Sequence, residues 1–396
     1  MHNFTVAYLL FYEFGLKTGL PFCKNNQQSL LHIIFRKFMK IPYSDRKKAF
    51  VEVGNKIGKV LTARSFYDLS AGEQALYYEI DDAVSKNPWF TPNNVRRAME
   101  GIRIMLDVSV MDRWLEKYAL DHIDKENHEK IIAVIMAGNI PFVGFHDMLC
   151  VLLSGHKFLG KLSSQDKYLP AILKRLILEV EPRIEEYIQF SESVIKGFDA
   201  VIATGSNNSA RYFNYYFGKY PHIIRRNRSS LAILTGEEST GELEALSYDI
   251  FQYFGMGCRN VSKLLIPKDY GIEQVIASFL DWSHLKDHYK FFNNYEYQKA
   301  VMLVNKTKYI DTGFCLLVKD DRLVSPLAVL YYDEYADKKD VIAYANRHEE
   351  EIQCVVSRES FQAIRTAVVP PGESQKPMPW DYADGVDTIS FLLSIE

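Results

Sequence analysis

The sequence lacks the marks of a membrane, secreted or zinc-binding protein. No apolar run reaches the roughly 18–20 residues that span a bilayer. The five cysteines form no Cys-x-x-Cys pair, which excludes a disulfide framework or a zinc module and is typical of a reducing compartment. The formal net charge is −3, which gives no general attraction to nucleic acid or to anionic membranes. We therefore predict a cytoplasmic protein with no nucleic-acid partner and no membrane span.

The N-terminus is open to more than one interpretation. Residues 1–22, MHNFTVAYLLFYEFGLKTGLPF, are apolar enough to suggest a signal peptide, but Glu13 interrupts them and no basic segment precedes them. Regular helical patterning begins only after Met39, so a second interpretation is that residues 1–38 precede the natural start. We predict an N-terminal extension over residues 1–43, whose place in the natural protein stays open.

The remaining chain alternates between helical and strand patterns. Residues 44–120 have the three- and four-residue apolar spacing of helices. Four apolar runs typical of buried strands follow, with helical segments between them, at residues 130–138, 156–163, 198–206 and 229–238. Such alternation predicts right-handed βαβ units in an open parallel sheet, and the chain after residue 261 repeats the pattern in a second α/β domain.

Polar residues stand where the predicted strands end, which is where open parallel sheets bind ligands. Asn139 follows the first strand, and its amide can donate to an oxyanion or simply form a turn or helix cap. Lys161 and Ser163 or Ser164 end the second strand, where a lysine can reach a cofactor ribose and a serine an adenosine 2′-phosphate. The alternative for these three residues is a solvated loop.

The third strand ends in Thr204, Gly205 and Ser206, a small turn that lets a pyrophosphate approach the next helix. No Gly-x-Gly-x-x-Gly segment exists, so the ordinary dinucleotide fingerprint is absent. His284 and His288 have helical spacing but no third ligand. We interpret them as a solvated helix face and predict no metal site.

Cys258 lies between two glycines, Gly255 and Gly257, and an Arg-Asn pair in FGMGCRN, residues 254–260. A structural thiol needs no glycines beside it, whereas a nucleophile must be reached by an acyl group. The pattern predicts a turn before a helix N-terminus, whose free N–H groups would lower the thiol pKa and hold an oxyanion. The alternative is a small buried cysteine. We favour the nucleophile, because Cys258 lies at the junction of the two predicted domains.

Four segments in this order resemble the aldehyde dehydrogenase superfamily, and more closely its LuxC-like acyl-CoA reductases. They are AGNIPFVGFHDMLCVLLSGHKFLGKLSSQD (137–166), IATGS (202–206), FGMGCRN (254–260) and ESQKPMPWDYADGVDTISFLLS (373–394). The resemblance implies two Rossmann-type α/β domains with the active site between them and a C-terminal strand tail. It implies Cys258 as nucleophile, Asn139 as oxyanion donor and Lys161 as a cofactor ligand.

Two departures from the superfamily pattern bear on the chemistry. The stretch matching the Glu-Leu-Gly-Gly segment, whose Glu activates water in aldehyde-oxidising members, is RNRSSLAIL (226–234) and has no carboxylate. Water attack on an acyl-cysteine should therefore be slow, which favours acyl transfer and reduction. Arg322 stands where the family has a carboxylate that contacts the cofactor ribose, and a cation cannot accept that hydrogen bond.

The resemblance implies an NADPH-dependent reductase of an acyl-CoA or acyl-carrier-protein thioester, with NADH as the alternative cofactor. The acyl group is expected to be fatty and the protein a homo-oligomer. The predicted domains are cofactor-binding over 44–235, catalytic-cysteine over 236–368, and a C-terminal crossing and strand over 369–396 that could serve oligomerisation. The alternatives are an oxidative aldehyde dehydrogenase using Glu237 or Glu238 as base, a non-catalytic partner-binding subunit, and a Cys-His hydrolase.

Overall fold

The computed structural model describes residues 40–123, 129–205 and 207–395. The helices and strands of these described residues lie within the unit Pro42–Glu396. Residues 1–38, the alternative start at Met39, Cys23 and the predicted cofactor residue Ser206 lie outside the described residues.

Numbered along the chain, the described helices are α1 (Tyr43–Thr62), α2 (Ala71–Lys86), α3 (Pro92–Met105), α4 (Val108–Leu115), α5 (Leu120–Ile123), α6 (Phe145–Leu153), α7 (Leu169–Val180), α8 (Asn207–Phe217), α9 (Thr240–Phe251), α10 (Glu273–Ala277), α11 (Tyr289–Asn305), α12 (Lys338–Arg347) and α13 (Thr388–Leu393). The strands are β1 (Ile131–Ile135), β2 (Lys157–Lys161), β3 (Ile188–Ser191), β4 (Ala200–Thr204), β5 (His222–Arg225), β6 (Ser229–Ile233), β7 (Val261–Pro267), β8 (Ile310–Asp311), β9 (Leu316–Lys319), β10 (Val329–Tyr335), β11 (Ile352–Val356) and β12 (Val368–Val369).

The first sheet has five strands in the order β3-β2-β1-β4-β5, and every pairing is parallel. In its register Ile135 pairs with both Lys161 and Ala203. Because parallel strands end at one edge of a sheet, the residues that follow β1, β2 and β4 come together there. The predicted open parallel sheet is confirmed, and the continuous apolar pattern of β1 reflects burial on both faces.

The second sheet has seven strands in the order β12-β11-β6-β7-β10-β9-β8. The expectation that residues 229–238 join the first sheet is wrong, because β6 pairs with β7 and β11. Only residues 226–228 separate β6 from β5. A return to a parallel position beside β5 needs a crossover of a dozen or more residues, so the chain passes to the other sheet instead. The predicted boundary after residue 235 therefore cuts β6 from its own sheet, while the other boundaries stay predictions.

The predicted C-terminal strand is also wrong, since residues 388–393 form the helix α13. Asp387 caps this helix by accepting a hydrogen bond from the Ser390 N–H at 3.0 Å. Ile389 and Leu392, three residues apart, are both fully buried. A short apolar run of this kind fits either period, and the cap and the three-residue spacing decide for a helix.

Much of the aromatic content forms the core beside the second sheet. Phe251, at the end of α9, packs against Phe279, Trp282 and Phe314 with ring centroids 4.8, 5.7 and 5.4 Å away. These four side chains are all at least nine-tenths buried. None of the helices in the described part of the chain is long and apolar enough to cross a membrane.

Candidate active site

A cavity of about 800 Å³ opens where β1, β2 and β4 end, and residues 252–260, called here the cysteine loop, form another of its walls. Five of the predicted site residues line it: Asn139, Ser163, Thr204, Gly205 and Cys258. Strand ends from the first sheet and the loop that precedes β7 of the second sheet therefore meet at one place. The position matches the ligand site expected for this sheet type.

Cys258 is the exposed thiol among the described cysteines, and Cys150, Cys315 and Cys354 are buried. Its side chain is open to the cavity but deep within the protein, and this burial raises the pKa of the Cys258 thiol. Arg259 beside it acts in the opposite direction. The expected lowering of the pKa is wrong, because burial dominates and the cysteine loop leads into strand β7, so no helix N-terminus is there to oppose it.

The cysteine loop begins with a left-handed backbone segment. Tyr253, Phe254 and Gly255 have φ values of 53°, 59° and 77°. The first two are bulky residues for which this conformation is costly, so the surrounding contacts must hold it in place. Both side chains are at least nine-tenths buried, and the Phe254 ring packs 5.1 Å from Trp89 and 4.3 Å from the His288 ring.

The Asn260 side chain supports the cysteine loop through hydrogen bonds to its backbone. Its side-chain oxygen accepts the Gly257 N–H at 2.8 Å. Its amide nitrogen donates to the carbonyl oxygens of Asp249, Ile250 and Gln252 at 3.1, 3.2 and 2.8 Å. Asn260 is 2% exposed, so these bonds replace water for four backbone groups. Nothing in the local sequence around Asn260 indicates this supporting role.

Asn139 joins the first strand end to the cysteine loop. Its amide nitrogen donates to the Met256 carbonyl oxygen at 2.7 Å, across 117 residues of sequence. A side-chain amide has two N–H donors, so one remains for a ligand in the cavity. The backbone N–H of Cys258 favours the thiolate of the same residue and so opposes the rise in its pKa. Because Asn139 and Cys258 line the same cavity, both N–H groups are candidates to hold the oxyanion of a tetrahedral adduct.

The predicted cofactor residues are only partly brought together. Gly138 is packed so closely that a Cβ there would lie 2.4 Å from the Ser163 hydroxyl oxygen. Gly205 has no room for a side chain either, since its Cβ would lie 2.7 Å from the Phe213 ring. Both glycines are therefore required by packing against the protein's own side chains. Lys161 donates to the Leu162 carbonyl at 3.0 Å and does not line the cavity. Ser164 is exposed and also lies outside the lining.

One carboxylate from the C-terminal tail lies in the cavity, although the water-activating Glu of the superfamily pattern is absent from this chain. Among the described residues that line the cavity, Asp384 is the one carboxylate. Burial raises the pKa of Asp384, while Arg228 favours its charged form from 3.0 Å. Glu237 and Glu238, the bases considered from the sequence, do not line the cavity. Glu238 instead accepts from the Thr235 N–H at 2.6 Å.

Arg322 is not in the cofactor cleft. Its guanidinium pairs with Asp320 at 2.5 Å, while Val324, Ser325 and Pro326 of the same segment line the cavity. The Arg322 side chain therefore does not line the cavity. The segment that contains it lines the cavity with backbone and small side chains, where the superfamily pattern has a carboxylate.

Histidine and metal chemistry have little basis in this site. No histidine lines the cavity among the described residues, so a Cys-His pair is not formed there. His284 lies in a 3-10 turn and His288 caps α11, so the two do not share the helix face expected of them. No group of three potential metal ligands occurs within the described part of the chain.

Buried charge also connects the tail to this region. Arg225 donates to both carboxylate oxygens of Asp147 at 2.9 and 2.7 Å and to the Thr388 hydroxyl at 3.1 Å. It lines the cavity at the end of β5 and thereby ties α13 to the first sheet. This contact could not be predicted from the sequence, because Arg225 belongs to a short basic stretch, residues 223–230, whose pattern is also that of a solvated loop.

Solved structures with a similar fold are aldehyde dehydrogenases. Aldehyde dehydrogenase 21 from Physcomitrella patens, in complex with succinate, has a TM-score of 0.63 and 12% identity over 89% of this chain and 84% of its own. Aldehyde dehydrogenase C from Pseudomonas syringae, with NAD+ and octanal, has 0.58 and 12% over 84% and 77%. Glyceraldehyde-3-phosphate dehydrogenase GapN from Methanocaldococcus jannaschii, with NADP, has 0.54 and 13% over 86% and 83%. No curated protein sequence matches the chain significantly.

The fold is therefore that of the aldehyde dehydrogenases, as the sequence resemblance implied. The family model for acyl-CoA reductase (LuxC) matches residues 74–274, just over half of the chain. The chain belongs to this LuxC acyl-CoA reductase family. Family and fold together support an oxidoreductase activity of the acyl-CoA reductase or aldehyde dehydrogenase type.

Proposed function

We propose that this protein reduces an acyl-CoA or acyl-carrier-protein thioester to the aldehyde with NADPH, through an acyl-Cys258 intermediate. The observation that carries the proposal is the exposed Cys258 thiol in a cavity it shares with Asn139 and the strand ends of the first sheet. Family membership supports the acyl-CoA class of substrate. A fatty acyl group is proposed from the resemblance, and the octanal bound by a protein of similar fold is in keeping with it.

The chain's own residues account for the acyl transfer. The Cys258 sulfur attacks the thioester carbonyl carbon, and the second Asn139 N–H and the Cys258 backbone N–H hold the oxyanion. The new C–S bond forms as the carrier C–S bond breaks, and the proton from Cys258 ends on the departing carrier thiol. Because the pKa of the free thiol is raised, this proton must leave during the attack.

A nicotinamide cofactor would be held by Ser163, Thr204 and Gly205, and when bound it supplies the hydride that reduces the acyl group. NADPH is proposed over NADH because Ser163 and Ser164 follow the second strand, where a serine could donate to an adenosine 2′-phosphate; of the two, Ser163 lines the cavity. Proteins of similar fold bind either NAD+ or NADP. The intermediate resists hydrolysis because the cavity's carboxylate, Asp384, is engaged by Arg228 and is not free to activate water.

The test is NADPH oxidation with acyl-CoA substrates from short to long chains, comparing wild type with Cys258→Ala. We expect aldehyde formation by the wild type and a loss of at least about a thousandfold in the variant, since Cys258 is the exposed thiol among the described cysteines and Cys315, which also lines the cavity, is buried. Cys150→Ala, at a buried thiol away from the cavity, is the matched control and should keep most of the activity.

The alternatives predict different products. An oxidative aldehyde dehydrogenase would form free acid from aldehyde and NADP+ without coenzyme A. A non-catalytic homologue would bind cofactor, turn over neither substrate and show no faster alkylation of Cys258 than of the buried thiols. A folded protein that binds NADPH and reduces no acyl-CoA or acyl carrier protein would overturn the proposal.

A further inference from the structure

Asp166 supports the segment that carries Asn139. This segment, residues 138–142 and called here the Asn139 loop, packs on the turn 163–166 after β2. Asp166 accepts the Phe142 N–H at 3.1 Å with one carboxylate oxygen. The two segments are in such close contact that a Cβ at Gly138 would lie 2.4 Å from the Ser163 hydroxyl oxygen and 3.1 Å from the Asp166 nitrogen.

The contact restrains a strained backbone. Phe142 has a φ of 58°, a left-handed conformation that a bulky residue seldom adopts unaided. Its N–H bond to Asp166 is one of the interactions that hold it there. Three residues earlier, Asn139 spans the cavity wall to Met256 of the cysteine loop at 2.7 Å. Hydrogen bonds thus run from Asp166 through the Asn139 loop to the loop that presents Cys258.

Asp166 is unusual in being only half satisfied. Its side chain is 5% exposed, and its second carboxylate oxygen is buried with no hydrogen-bond partner. Burial raises the pKa of Asp166 to about 7, with backbone N–H groups of Phe142 and Leu169 acting in the opposite direction. The carboxyl therefore changes its charge within the pH range of an ordinary enzyme assay.

Few charged groups face this carboxyl from the elements around it. Glu79 of α2 acts on it and is itself paired with Lys86 at 2.6 Å. Lys167, next in the chain, is turned to Glu192 at 2.5 Å. The Asn139 loop has the sequence GNIPF and contributes no titratable side chain.

We propose that Asp166 is a positioning residue whose ionised carboxylate holds the Asn139 loop in the geometry that oxyanion stabilisation requires. A charge-assisted bond is roughly twice as strong as a neutral one, so protonation loosens the Phe142 contact and misplaces Asn139. The inference rests on the proposed function, because it needs Asn139 to act on the reacting thioester. It adds a pH dependence at a residue that does not touch the substrate.

The kinetic test compares wild type with Asp166→Asn, which keeps an acceptor for Phe142 and cannot ionise. We expect the two to agree within about twofold in kcat at pH 6, and the variant to be roughly five- to tenfold slower at pH 8–9 with little change in KM. A constant ratio at every pH indicates a merely structural role and overturns the inference.

A double-mutant comparison separates this effect from the titration of Cys258. In an Asn139→Ala background, Asp166→Asn should change kcat by less than about twofold, since both act through the same amide. An undiminished effect in that background contradicts the inference. If Asp166→Asn fails to fold, the wild-type step near pH 7 must still disappear in Asn139→Ala alone.

A readout without catalysis keeps the two proposals distinguishable. In protein labelled with 15N-phenylalanine, the Phe142 amide, assigned with Phe142→Leu, should titrate near pH 7 in wild type and not in Asp166→Asn. Titration without any acyl-CoA reduction sinks the proposed function and leaves the loop restraint standing. Reduction by a protein whose Phe142 amide does not titrate sinks the restraint and leaves the function.

Discussion

The two loops that meet at the thiol are held in different ways. The cysteine loop rests on Asn260, a neutral side chain whose oxygen and nitrogen are both fully used. The Asn139 loop rests on Asp166, an ionisable side chain with one oxygen unpartnered. A neutral, satisfied support fixes the nucleophile at any pH, whereas a titratable one makes its oxyanion donor sensitive to protonation. The cysteine loop with Asn260 is called here the rigid side of the site, and the Asn139 loop with Asp166 the adjustable side.

Removing the bridge between the two loops should have the largest effect. Asn139→Ala deletes both the bond to Met256 and the proposed oxyanion donor, so we expect kcat to fall by about 10²–10³. The change in KM should be small, because the donor acts on the developing charge. Acyl-CoA reduction at saturating NADPH measures both constants.

Asn227→Ala is the control for this prediction. Asn227 is exposed in the same cavity, so its loss should change kcat by less than about threefold. Equal losses in the two variants would show that Asn139 has no special part in the site.

Breaking the rigid side should cost stability. Asn260→Ala removes the side-chain hydrogen bonds to three backbone carbonyl groups and to the Gly257 N–H, so we expect the free energy of unfolding to fall by about 3 kcal/mol. The loss should be the same at pH 6 and pH 8, because Asn260 does not ionise. Urea unfolding at both values measures it.

Asn55→Ala, an exposed asparagine on α1, is the matched substitution for this measurement. Its cost should stay within about 0.5 kcal/mol. A loss in Asn260→Ala that varies strongly with pH would contradict the contrast between the loops.

The adjustable side should show a smaller, pH-dependent effect on stability. The folded pKa of Asp166, about 7, lies above its ordinary value of 3.8, so the folded state binds the proton more tightly. Stability is therefore lost as pH rises towards 7 and is regained in Asp166→Asn, which cannot ionise. We expect the free energy of unfolding of the variant, relative to that of the wild type, to increase by about 2 kcal/mol from pH 5 to pH 8.

The difference between the two proteins is the quantity to compare in urea unfolding at each pH. Burial also raises the pKa of Asp249 to about 6, but this carboxyl is present in both proteins, so its contribution cancels in the difference. A difference that does not change with pH would mean that Asp166 has an ordinary pKa. The gain, if found beside slower catalysis at high pH, would show that the ionised form serves activity at the expense of stability.

Three strands of the first sheet could be predicted from the sequence, whereas neither sheet could be predicted completely. Strands β1, β2 and β4 are apolar runs followed by helices, so their parallel order follows from local pattern and chain direction. The short strands β3 and β5 were missed. Because β5 was not predicted, the sequence did not show that only three residues separate it from β6, and β6 was therefore placed in the wrong sheet. The C-terminal helix was mistaken for a strand because a short apolar run does not fix its own period.

The candidate site shows the same division. Cys258, Asn139, Ser163 and Gly205 were chosen from strand ends, glycines and a family resemblance, and they line one cavity. Lys161 stands at the predicted strand end but turns to its neighbour's carbonyl. Which way a flexible side chain points depends on partners that a strand-end rule does not include.

The sequence by itself determined the α/β class, the strands β1, β2 and β4, the cysteine that follows two glycines and the family, because each depends on patterns within a few tens of residues. The tertiary structure decided the sheet that β6 joins, the arrival of Asp384 from the tail and the supports under the two loops. Asn139 and Met256 are 117 residues apart, and Arg225 and Thr388 are 163. Contacts of that range follow from packing and topology, and so does the burial that sets the charge of Asp166.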